Sequence, residues 1–225
     1  MFFGEEDRIF ADRTEAGRRL ANKLPGYQDR RDALVLGVPR GGVVVAFEVA
    51  SALHLPMDIF VSRKLGVPGR EELAFGAIAS GNVRVLDREI VQGLEITEQQ
   101  IEEVTRTARI ELERREQLYR GSRPPLVLEG RTAILIDDGI ATGSSMLAAI
   151  RALRHLQPAR LVVAVPVAPQ ATCSRLRREV DELVCVETPK FFYAIGQFYD
   201  DFSQVTDEEV TELLRLAPQP ALQDV

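Results

Sequence analysis

The sequence is poor in the residues around which many catalytic and structural centres are built. It holds no tryptophan, two cysteines and two histidines in 225 residues. Cys173 lies in a helical segment and Cys185 in a strand-like one, without metal-ligand spacing, so we expect free and largely buried thiols. His54 and His155 fall near the ends of predicted helices, where histidine usually serves packing or the helix dipole. These features argue against a disulfide framework, a zinc centre and a histidine-based triad.

Long apolar runs and an excess of positive charge are also missing. No apolar stretch approaches the length of a membrane-spanning helix, and the first ten residues are acidic where a secretory signal is basic. The net charge of −6 opposes general binding to nucleic acid, which relies on lysine and arginine. We therefore expect a cytoplasmic protein without membrane or nucleic-acid partners, whose phosphate contacts are local.

What the sequence does contain is an alternation of strands and helices. With 225 residues, of which 45% are hydrophobic and 28% charged, the chain fits one domain over residues 1–225. Apolar strand-like runs alternate with helical patterns, which predicts an α/β fold with a doubly wound, mainly parallel sheet. The main predicted strands cover residues 33–38, 57–62, 133–136, 160–167 and 182–187.

Residues 133–146, AILIDDGIATGSSM, join a strand, a loop and the start of a helix. The apolar run Ala133–Ile136 ends in Asp137 and Asp138, small residues follow, and a helical pattern begins at Met146. Backbone N–H groups exposed in such a loop at a helix N-terminus suit a phosphate. The two carboxylates suit sugar hydroxyls or the vicinity of a divalent cation.

Receiver domains, P-loops and plain turns match this stretch less well. A response-regulator receiver carries an acidic pair near its start and a phosphoacceptor aspartate at a strand end downstream, and no matching aspartate follows in this chain. The loop lacks the lysine of a P-loop, and the chain has no GxGxxG motif. A purely structural turn would not need two neighbouring carboxylates, because their repulsion is unfavourable.

The stretch ILIDDGIATGSS resembles the motif with which type I phosphoribosyltransferases bind 5-phosphoribosyl pyrophosphate (PRPP). The resemblance implies that Asp137 and Asp138 bind the ribose 2′- and 3′-hydroxyls. It also implies that the following loop binds the 5′-phosphate, through Ala141, Thr142, Gly143, Ser144 and Ser145. Together with EAGRRLANKL, GVPRGGVVVA and RKLGVPGREELAFGAI, the motif is similar to a subfamily of predicted phosphoribosyltransferases that has no assigned acceptor.

A second glycine-bearing loop, Pro39-Arg40-Gly41-Gly42, follows the first core strand. In the family this loop receives the pyrophosphate of PRPP, commonly through a strained or cis peptide, so the resemblance implies that role for Arg40, Gly41 and Gly42. Glycine permits unusual backbone angles, and arginine offers a planar fork to phosphate oxygens. Taken alone, the same four residues fit a plain turn as well.

Arg63 and Lys64 stand at the end of the predicted strand 57–62, before a segment rich in glycine, proline and charge. We expect residues 65–86 to form a mobile loop with a β-hairpin. In the family a flexible loop at this place closes over the active site, and basic residues at its base contact pyrophosphate. The resemblance implies that role for Arg63 and Lys64, and a solvated surface hairpin is the alternative. The loop residues without an assigned role are Arg70, Glu71 and Glu72.

Residues 187–205, which we call the hood, hold a dense group of aromatic side chains. In the family this region recognises the base or amine acceptor. The resemblance suggests a stacking surface beside a lysine, although aromatic residues lie more often in a core. The candidate residues are Lys190, Phe191, Phe192, Tyr193, Phe198 and Tyr199.

A long charged helix is predicted over residues 97–119, beginning with a capping box at Thr97 and Gln100. It is longer than a minimal phosphoribosyltransferase needs, so it covers a sheet face or packs against a second subunit, which leaves homo-oligomerisation open. Residues 217–225 are expected to form a frayed tail. Three pairs at i,i+4 spacing predict a solvated face on the long helix: Glu102–Arg106, Glu111–Arg115 and Glu116–Arg120.

The resemblance to type I phosphoribosyltransferases implies an enzyme, a PRPP-dependent glycosyltransferase of nucleotide metabolism. The resemblance implies transfer of the 5-phosphoribosyl group of PRPP to a nitrogen acceptor, expected to be a nucleobase, with release of pyrophosphate. It also implies that Mg²⁺ binds mainly through PRPP oxygens, without direct protein ligands. One alternative is a non-catalytic PRPP or nucleotide sensor on the same fold, and another is hydrolysis of a phosphoribosyl compound.

Overall fold

The computed structural model describes residues 8–121 and 123–218, with the side chain of Glu72 left aside. The acidic start and most of the expected C-terminal tail lie outside this described part. Helices and strands alternate along it, as the sequence predicts. The strands are β1 (Ala33–Gly37), β2 (Met57–Ile59), β3 (Ser62–Val67), β4 (Arg70–Ala79), β5 (Val83–Leu86), β6 (Thr132–Ile136), β7 (Arg160–Val167) and β8 (Glu182–Glu187). The α-helices are α1 (Arg13–Ala21), α2 (Gly41–Leu53), α3 (Arg88–Gly93), α4 (Glu98–Arg120), α5 (Ser144–His155), α6 (Gln170–Leu176) and α7 (Asp207–Leu216).

Five parallel strands form the centre of the fold, in the order β2-β1-β6-β7-β8. In this register Val35 of β1 lies opposite Met57 on one side and Ile134 on the other. The inner strands are almost wholly apolar because both faces of the sheet are covered. Alternate residues of a strand point to opposite faces, so Leu34 and Val35 belong to different core clusters. The predicted doubly wound parallel sheet is confirmed.

Helices cover both faces of this sheet. Buried side chains of α1, α2, α4 and α7 pack on the face that carries Val35, and those of α5 and α6 pack on the face that carries Leu34. The carboxyl ends of the parallel strands therefore meet at one edge, next to the loops that lead into α2 and α5.

The strand predicted over residues 57–62 is wrong in its extent. Strand β2 ends at Ile59, and the chain turns at Phe60 into a second, antiparallel sheet with the order β3-β4-β5. Arg63 and Lys64 therefore lie inside β3, paired with residues of β4, and not at the end of a parallel strand. The predicted hairpin within residues 65–86 is present as β4 and β5, to which β3 adds a third strand. The mobility of this segment stays a prediction. The apolar run gave no local sign that its pairing partner changes at Phe60.

Helix α4 begins with the predicted capping box at Thr97 and packs against β3, β4 and α7. Of the three predicted pairs along it, Glu111–Arg115 forms, at 2.8 Å. In the other two pairs, Glu102 bonds to Arg84 of β5, and Arg120 bonds to buried Asp58 of β2. The helix thus covers one face of the fold and its charges act partly as tertiary links. Within the described ranges, no helix combines the length and apolar character that crossing a bilayer requires.

The cysteines and histidines lie where the sequence predicts. Cys173 is buried in α6 and Cys185 is partly buried in β8, and both are free thiols. A hydrogen bond from the Cys185 side chain lowers the pKa of Cys173 to about 7. His54 follows the last residue of α2, and His155 is the last residue of α5.

The beginning of the described chain pairs with the hood. Phe10 and Tyr199 form a parallel β-bridge, and their ring centroids lie 5.3 Å apart. The Phe10 N–H donates to the Phe198 carbonyl at 2.9 Å, and the Asp200 N–H donates to the Phe10 carbonyl at 2.9 Å. The hood is therefore attached to the N-terminal segment through backbone as well as side chains.

Candidate functional site

The two predicted ligand loops meet at the carboxyl edge of the parallel sheet. Gly37 at the end of β1 pairs with Ile136 at the end of β6, which brings the residues after each strand together. A Cβ atom on Gly42 would lie 2.7 Å from the Asp137 Cα, so the loops approach too closely there for any other residue. The peptide bond between Pro39 and Arg40, in the first loop, is cis.

Asp137 and Asp138 occupy different environments although they are neighbours. Asp137 Oδ1 accepts a hydrogen bond from the Asp138 backbone N–H at 2.9 Å. Burial and the nearby charge of Asp138 raise the pKa of Asp137 well above its ordinary value. Burial also raises the pKa of Asp138, against the opposing effect of Arg13, whose Nε donates to Asp138 Oδ2 at 2.7 Å. The site therefore favours Asp138 as the ionised member of the pair.

Arg13, in the first turn of α1, is a residue of this site that the sequence did not reveal. Its Nη1 donates to the Ser203 carbonyl at 2.9 Å, and its guanidinium lies 3.8 Å from the centre of the Phe202 ring. The Tyr199 hydroxyl donates to the Asp138 carbonyl at 2.6 Å, so the hood also touches the acidic pair directly. Arg13 is 125 residues from Asp138 in the chain, and no local pattern distinguishes it from the other arginines of α1.

Two backbone carbonyl groups of the predicted phosphate loop accept hydrogen bonds from side chains of α6. Thr172 Oγ1 donates to the Ala141 carbonyl at 2.8 Å, and Arg175 Nη2 donates to the Thr142 carbonyl. Gly143 precedes α5 with a φ of 76°, a left-handed conformation that glycine adopts readily. The first N–H groups of a helix have no acceptor within that helix. The loop therefore offers donors at the start of α5, beside the hydroxyls of Ser144 and Ser145.

Arg175 of α6 is a second residue that the sequence did not single out. Besides holding the Thr142 carbonyl, its guanidinium lies so near Gly143 that a Cβ there would be 2.9 Å from Nη2. A cationic group thus adjoins the predicted phosphate loop. The contact joins α6 to a loop more than 30 residues earlier, so spacing in the sequence does not indicate it.

The predicted basic residues make ion pairs within the described chain. Arg40 Nη1 lies 3.7 Å from Asp207 Oδ1 at the start of α7, and Arg63 Nη1 lies 3.7 Å from Glu111 Oε1 of α4. Both distances are long for an ion pair, and both arginines are about one-third exposed. Arg63 and Lys64 line a cleft between β3 and α4 that reaches Ser145 of the phosphate loop.

The predicted aromatic candidates of the hood differ in their exposure to solvent. Phe191 and Tyr193 are each 72% exposed, whereas Phe198 and Tyr199 are buried against Phe10. Phe192 is partly buried, with its ring centroid 4.9 Å from that of Phe198. The suggested stacking role is therefore wrong for the two buried rings, which pack in the core. The exposed side chains Phe191 and Tyr193, with exposed Lys190, remain candidates.

Comparison with known proteins supports the fold and identifies the family. A family model described as the phosphoribosyl transferase domain matches residues 7–203. Two curated proteins of Mycobacterium tuberculosis, from strains CDC 1551 / Oshkosh and ATCC 25618 / H37Rv, carry the name "putative phosphoribosyl transferase". Each is 44% identical over 207 residues, which is 92% of this chain. The chain spans about half the length of these relatives, since the match covers 46% of each.

A solved structure shares the fold over almost the whole chain. The crystal structure of TT1426 from Thermus thermophilus is 40% identical, with a TM-score of 0.85. The match covers 93% of this chain and 99% of that one. The family match agrees with the parallel sheet and with the position of the acidic pair after β6. The chain belongs to the phosphoribosyltransferase family with the type I fold.

Proposed function

We propose that this chain transfers the 5-phosphoribosyl group of PRPP to a nitrogen acceptor, a nucleobase by our expectation, and releases pyrophosphate. The observation that carries the proposal is the meeting of two loops at one edge of the sheet. The loop after β1 leads into Gly41 and Gly42, the first two residues of α2, which lie directly against Asp137 and Asp138. The two aspartates in turn precede a loop suited to phosphate. A ligand with phosphate groups on both sides of a sugar fits this order of subsites.

Each part of PRPP has a proposed set of contacts. The ribose hydroxyls donate to Asp137 and Asp138, which accept hydrogen bonds when ionised. The pyrophosphate lies at Arg40, Gly41 and Gly42. The 5′-phosphate lies at the start of α5, with Ala141, Thr142, Gly143, Ser144 and Ser145.

The reaction breaks the bond between C1 of the ribose and the pyrophosphate oxygen, which keeps the bonding electrons. A nitrogen lone pair forms the new bond to C1, and that nitrogen releases its proton to solvent. Positive charge develops on the sugar and negative charge on the leaving group. The protein's main tasks are to align the reactants and to stabilise the departing pyrophosphate. We assign the second task to Arg63 and Lys64. The 3.7 Å separation between Arg63 and Glu111 leaves the arginine able to exchange that partner for a phosphate oxygen.

Mg²⁺ fits this site as an ion carried largely by the substrate. Within residues 8–121 and 123–218, no group of three or more histidine, cysteine, aspartate or glutamate side chains is arranged to hold a metal. Asp137 and Asp138 supply carboxylate oxygens of the kind that Mg²⁺ accepts, and one oxygen of Asp138 is already bonded to Arg13. The ion would offset phosphate charge, with water and PRPP completing its coordination.

The acceptor is proposed to lie under the hood. Phe191 and Tyr193 expose flat aromatic surface, which suits a planar heterocycle better than an aliphatic amine. Lys190, exposed beside them, would contact a polar edge of the acceptor. These side chains favour a nucleobase and do not distinguish purines from pyrimidines.

The proposal is tested by measuring pyrophosphate release from PRPP and Mg²⁺ with a panel of purines, pyrimidines and small amines, together with calorimetric titration of PRPP. Release with one acceptor would support the transferase and name its substrate class. The variant Asp137→Asn with Asp138→Asn should then abolish release. Asp29→Asn is the control, because Asp29 is exposed and pairs with His54 away from the site.

Two results would contradict the transferase proposal. Unimpaired release by the double variant would remove the acidic pair from the site. Tight Mg²⁺-dependent PRPP binding by the wild-type protein, without release for any acceptor, would favour a PRPP or nucleotide sensor on the same fold.

A further inference from the structure

Helix α4 is connected to both arginines that we assign to the pyrophosphate, Arg40 and Arg63. We propose that α4 forms one wall of the pyrophosphate subsite, and that Arg115 on this wall is a further binding residue for the leaving group. This inference rests on the proposed function, because it concerns the same site. It gives the long helix a role beyond covering one face of the fold.

Glu111 of α4 is surrounded by three guanidinium groups. Its Oε1 accepts from Arg115 Nε at 2.8 Å and from Arg114 Nη2 at 3.1 Å, and Arg63 Nη1 lies 3.7 Å from the same oxygen. Hydrogen bonds from Arg114 and Arg115 lower the pKa of Glu111 to about 2, so the carboxylate is ionised at neutral pH. One negative charge among three positive charges leaves a local excess of positive charge, which attracts an anion.

Arg115 shares a cleft with residues that we assign to PRPP. The cleft lies between β3 and α4, with Arg63 and Lys64 on the strand and Arg115 on the helix, and it reaches Ser145 of the phosphate loop. Its volume of about 880 Å³ has room for a pyrophosphate group. A pyrophosphate in this cleft would lie between the cations of β3 and the cation of α4.

Two glutamates on the cleft lining limit the anion site to its arginine end. Glu71 and Glu103 also line the cleft. Glu103 lies two helical turns from Glu111, about 12 Å along the axis of α4. Glu71 lies beside Gly66, which is three residues from Arg63 along β3, or about 10 Å. The positive charge is therefore concentrated around Glu111.

The spacing along α4 explains why Arg115 faces this subsite. Glu111, Arg115 and Tyr119 are four residues apart, so they lie along one side of the helix. The Tyr119 hydroxyl donates to Asp207 Oδ1 at 2.5 Å, and Arg40 Nη1 lies 3.7 Å from that oxygen. Burial raises the pKa of Tyr119 to about 12, so this hydroxyl keeps its proton at neutral pH. The same side of the helix is therefore connected to the loop after β1 as well as to β3.

Arg115 is able to bind a phosphate while it stays paired with Glu111. Its hydrogen bond to Glu111 uses Nε. The terminal nitrogens of a guanidinium form a planar pair of donors that suits two phosphate oxygens. The pairing with Glu111 also restrains the side chain, which is 34% exposed, so less rotamer freedom is lost when the anion binds.

The test compares Arg115→Met with the wild-type protein by calorimetric titration of PRPP, pyrophosphate and ribose 5-phosphate, each with Mg²⁺. Pyrophosphate reports on the subsite of the leaving group, and ribose 5-phosphate reports on the acidic pair and the phosphate loop. Arg114→Met is the matched control, because Arg114 pairs with the same glutamate and is 56% exposed. Among the described residues that line the cleft, Arg115 is the only one of these two arginines.

For Arg115→Met we expect affinity for pyrophosphate and for PRPP to fall by about tenfold or more, as for the loss of a charge-assisted hydrogen bond. Affinity for ribose 5-phosphate should stay within about twofold, because that ligand has no group in the pyrophosphate subsite. Arg114→Met should stay within about twofold for all three ligands, because water and salt screen an exposed charge.

Different results would overturn different proposals. If the wild-type protein does not bind PRPP, the proposed function fails. If it binds PRPP, wild-type affinity of Arg115→Met for pyrophosphate overturns the role of Arg115 alone. An equal loss of affinity for ribose 5-phosphate, or an equal loss in Arg114→Met, overturns that role as well. Should Arg115→Met not fold, Arg115→Gln decides by the same comparison, because it keeps a donor for Glu111 and lacks the charge.

Discussion

Asp137 and Asp138 differ because one side chain has a cation and the other does not. Burial raises the pKa of both carboxyl groups, but Arg13 stabilises only the charge on Asp138 directly, through a 2.7 Å hydrogen bond. The sequence predicts that the two residues act together. It does not predict which of the two carboxyl groups is ionised, because that depends on Arg13, a side chain that the tertiary fold brings to the site.

The raised pKa of Asp137 gives the first prediction, that Asp137→Asn stabilises the fold at neutral pH. The folded protein holds the Asp137 proton to a higher pH than the unfolded chain does. Wild-type stability therefore declines as pH rises from the ordinary aspartate pKa of about 4 toward the folded value. The variant has no such proton to lose. Its melting temperature should exceed that of the wild-type protein by a few degrees at pH 7 and converge with it below about pH 4.

The neighbouring variant serves as the contrast for this experiment. Asp138→Asn would leave Arg13 largely buried without its counter-charge, at a cost of about 1–3 kcal/mol. Burial raises the pKa of Asp138 as well, so this variant removes a buried charge and also removes the ion pair with Arg13. Calorimetric scans across pH 4–8 should thus give Asp138→Asn a lower melting temperature than Asp137→Asn. Equal shifts for the two variants would mean that Arg13 does not distinguish the two carboxylates.

The second prediction concerns Gly41→Ala, which adds a single methyl group beside the acidic pair. A methyl group there would lie 1.9 Å from Asp138 Oδ2, so Gly41→Ala must displace the carboxylate or the loop. We expect PRPP affinity to fall by at least about tenfold and stability to fall by about 1–3 kcal/mol. Isothermal titration and urea denaturation measure the two effects.

Gly26→Ala is the matched control for this substitution. A Cβ on Gly26 would meet no atom within 4 Å, and the residue is not among those with positive φ. Its stability should stay within about 0.5 kcal/mol of the wild-type value or rise slightly. Equal losses from both alanine variants would show that Gly41 is not specially close to the acidic pair.

At the scale of elements, local signals locate most helices and strands. The capping box at Thr97, the apolar runs of β1 and β6 and the breaks around them all appear where the sequence predicts. The structure differs from the prediction at Phe60, where the chain leaves the parallel sheet and enters the antiparallel one. Strand periodicity shows that a residue is extended and buried. It does not show which strand will be its neighbour, because pairing is decided by distant residues.

The buried end of α4 supplies a prediction at this scale. Asp58 of β2 is 4% exposed and pairs with Arg120 at 3.0 Å, while Arg123 lies at 3.5 Å. Asp58→Ala would leave two arginines without their partner in a dry environment, so unfolding should become easier by about 3–5 kcal/mol. Chemical denaturation of the purified protein measures this change.

Glu102→Ala provides the comparison on the same helix. Glu102 pairs with Arg84, but its side chain is 58% exposed, and such surface pairs contribute roughly 0–1 kcal/mol. The two variants should therefore differ clearly in denaturation midpoint. A small effect of Asp58→Ala would show that α4 is held in place mainly by its apolar face.

At the scale of the whole molecule, the site is assembled from both ends of the chain. The motif at the end of β6 and the glycine loop after β1 are recognisable in the sequence, and a parallel sheet necessarily places them together. The covering of that site is not recognisable. It consists of the N-terminal segment, α1 and the hood, joined by Phe10, Arg13 and Tyr199 across most of the sequence.

Phe10 gives the prediction at this scale. Its ring is 1% exposed and packs with Tyr199 and Phe198, so Phe10→Ala should cost about 3–5 kcal/mol and loosen the hood over Asp138. We expect weaker PRPP binding together with faster hydrogen exchange in residues 198–201. Phe191→Ala, at a position 72% exposed, should leave stability within about 0.5 kcal/mol. Unchanged hydrogen exchange in the Phe10→Ala variant would show that the N-terminal segment does not restrain the hood.

The bridge between Phe10 and Tyr199 also has a consequence for how the protein is made. A ribosome adds about 5–20 residues per second, so the roughly 190 residues between these partners take on the order of 10–40 s to synthesise. During that interval Phe10 has emerged and its partner does not yet exist. The parallel sheet can begin to assemble in a nascent chain in which the Phe10 side chain is still exposed. Protection of that segment by a chaperone would matter most while translation is slow or paused.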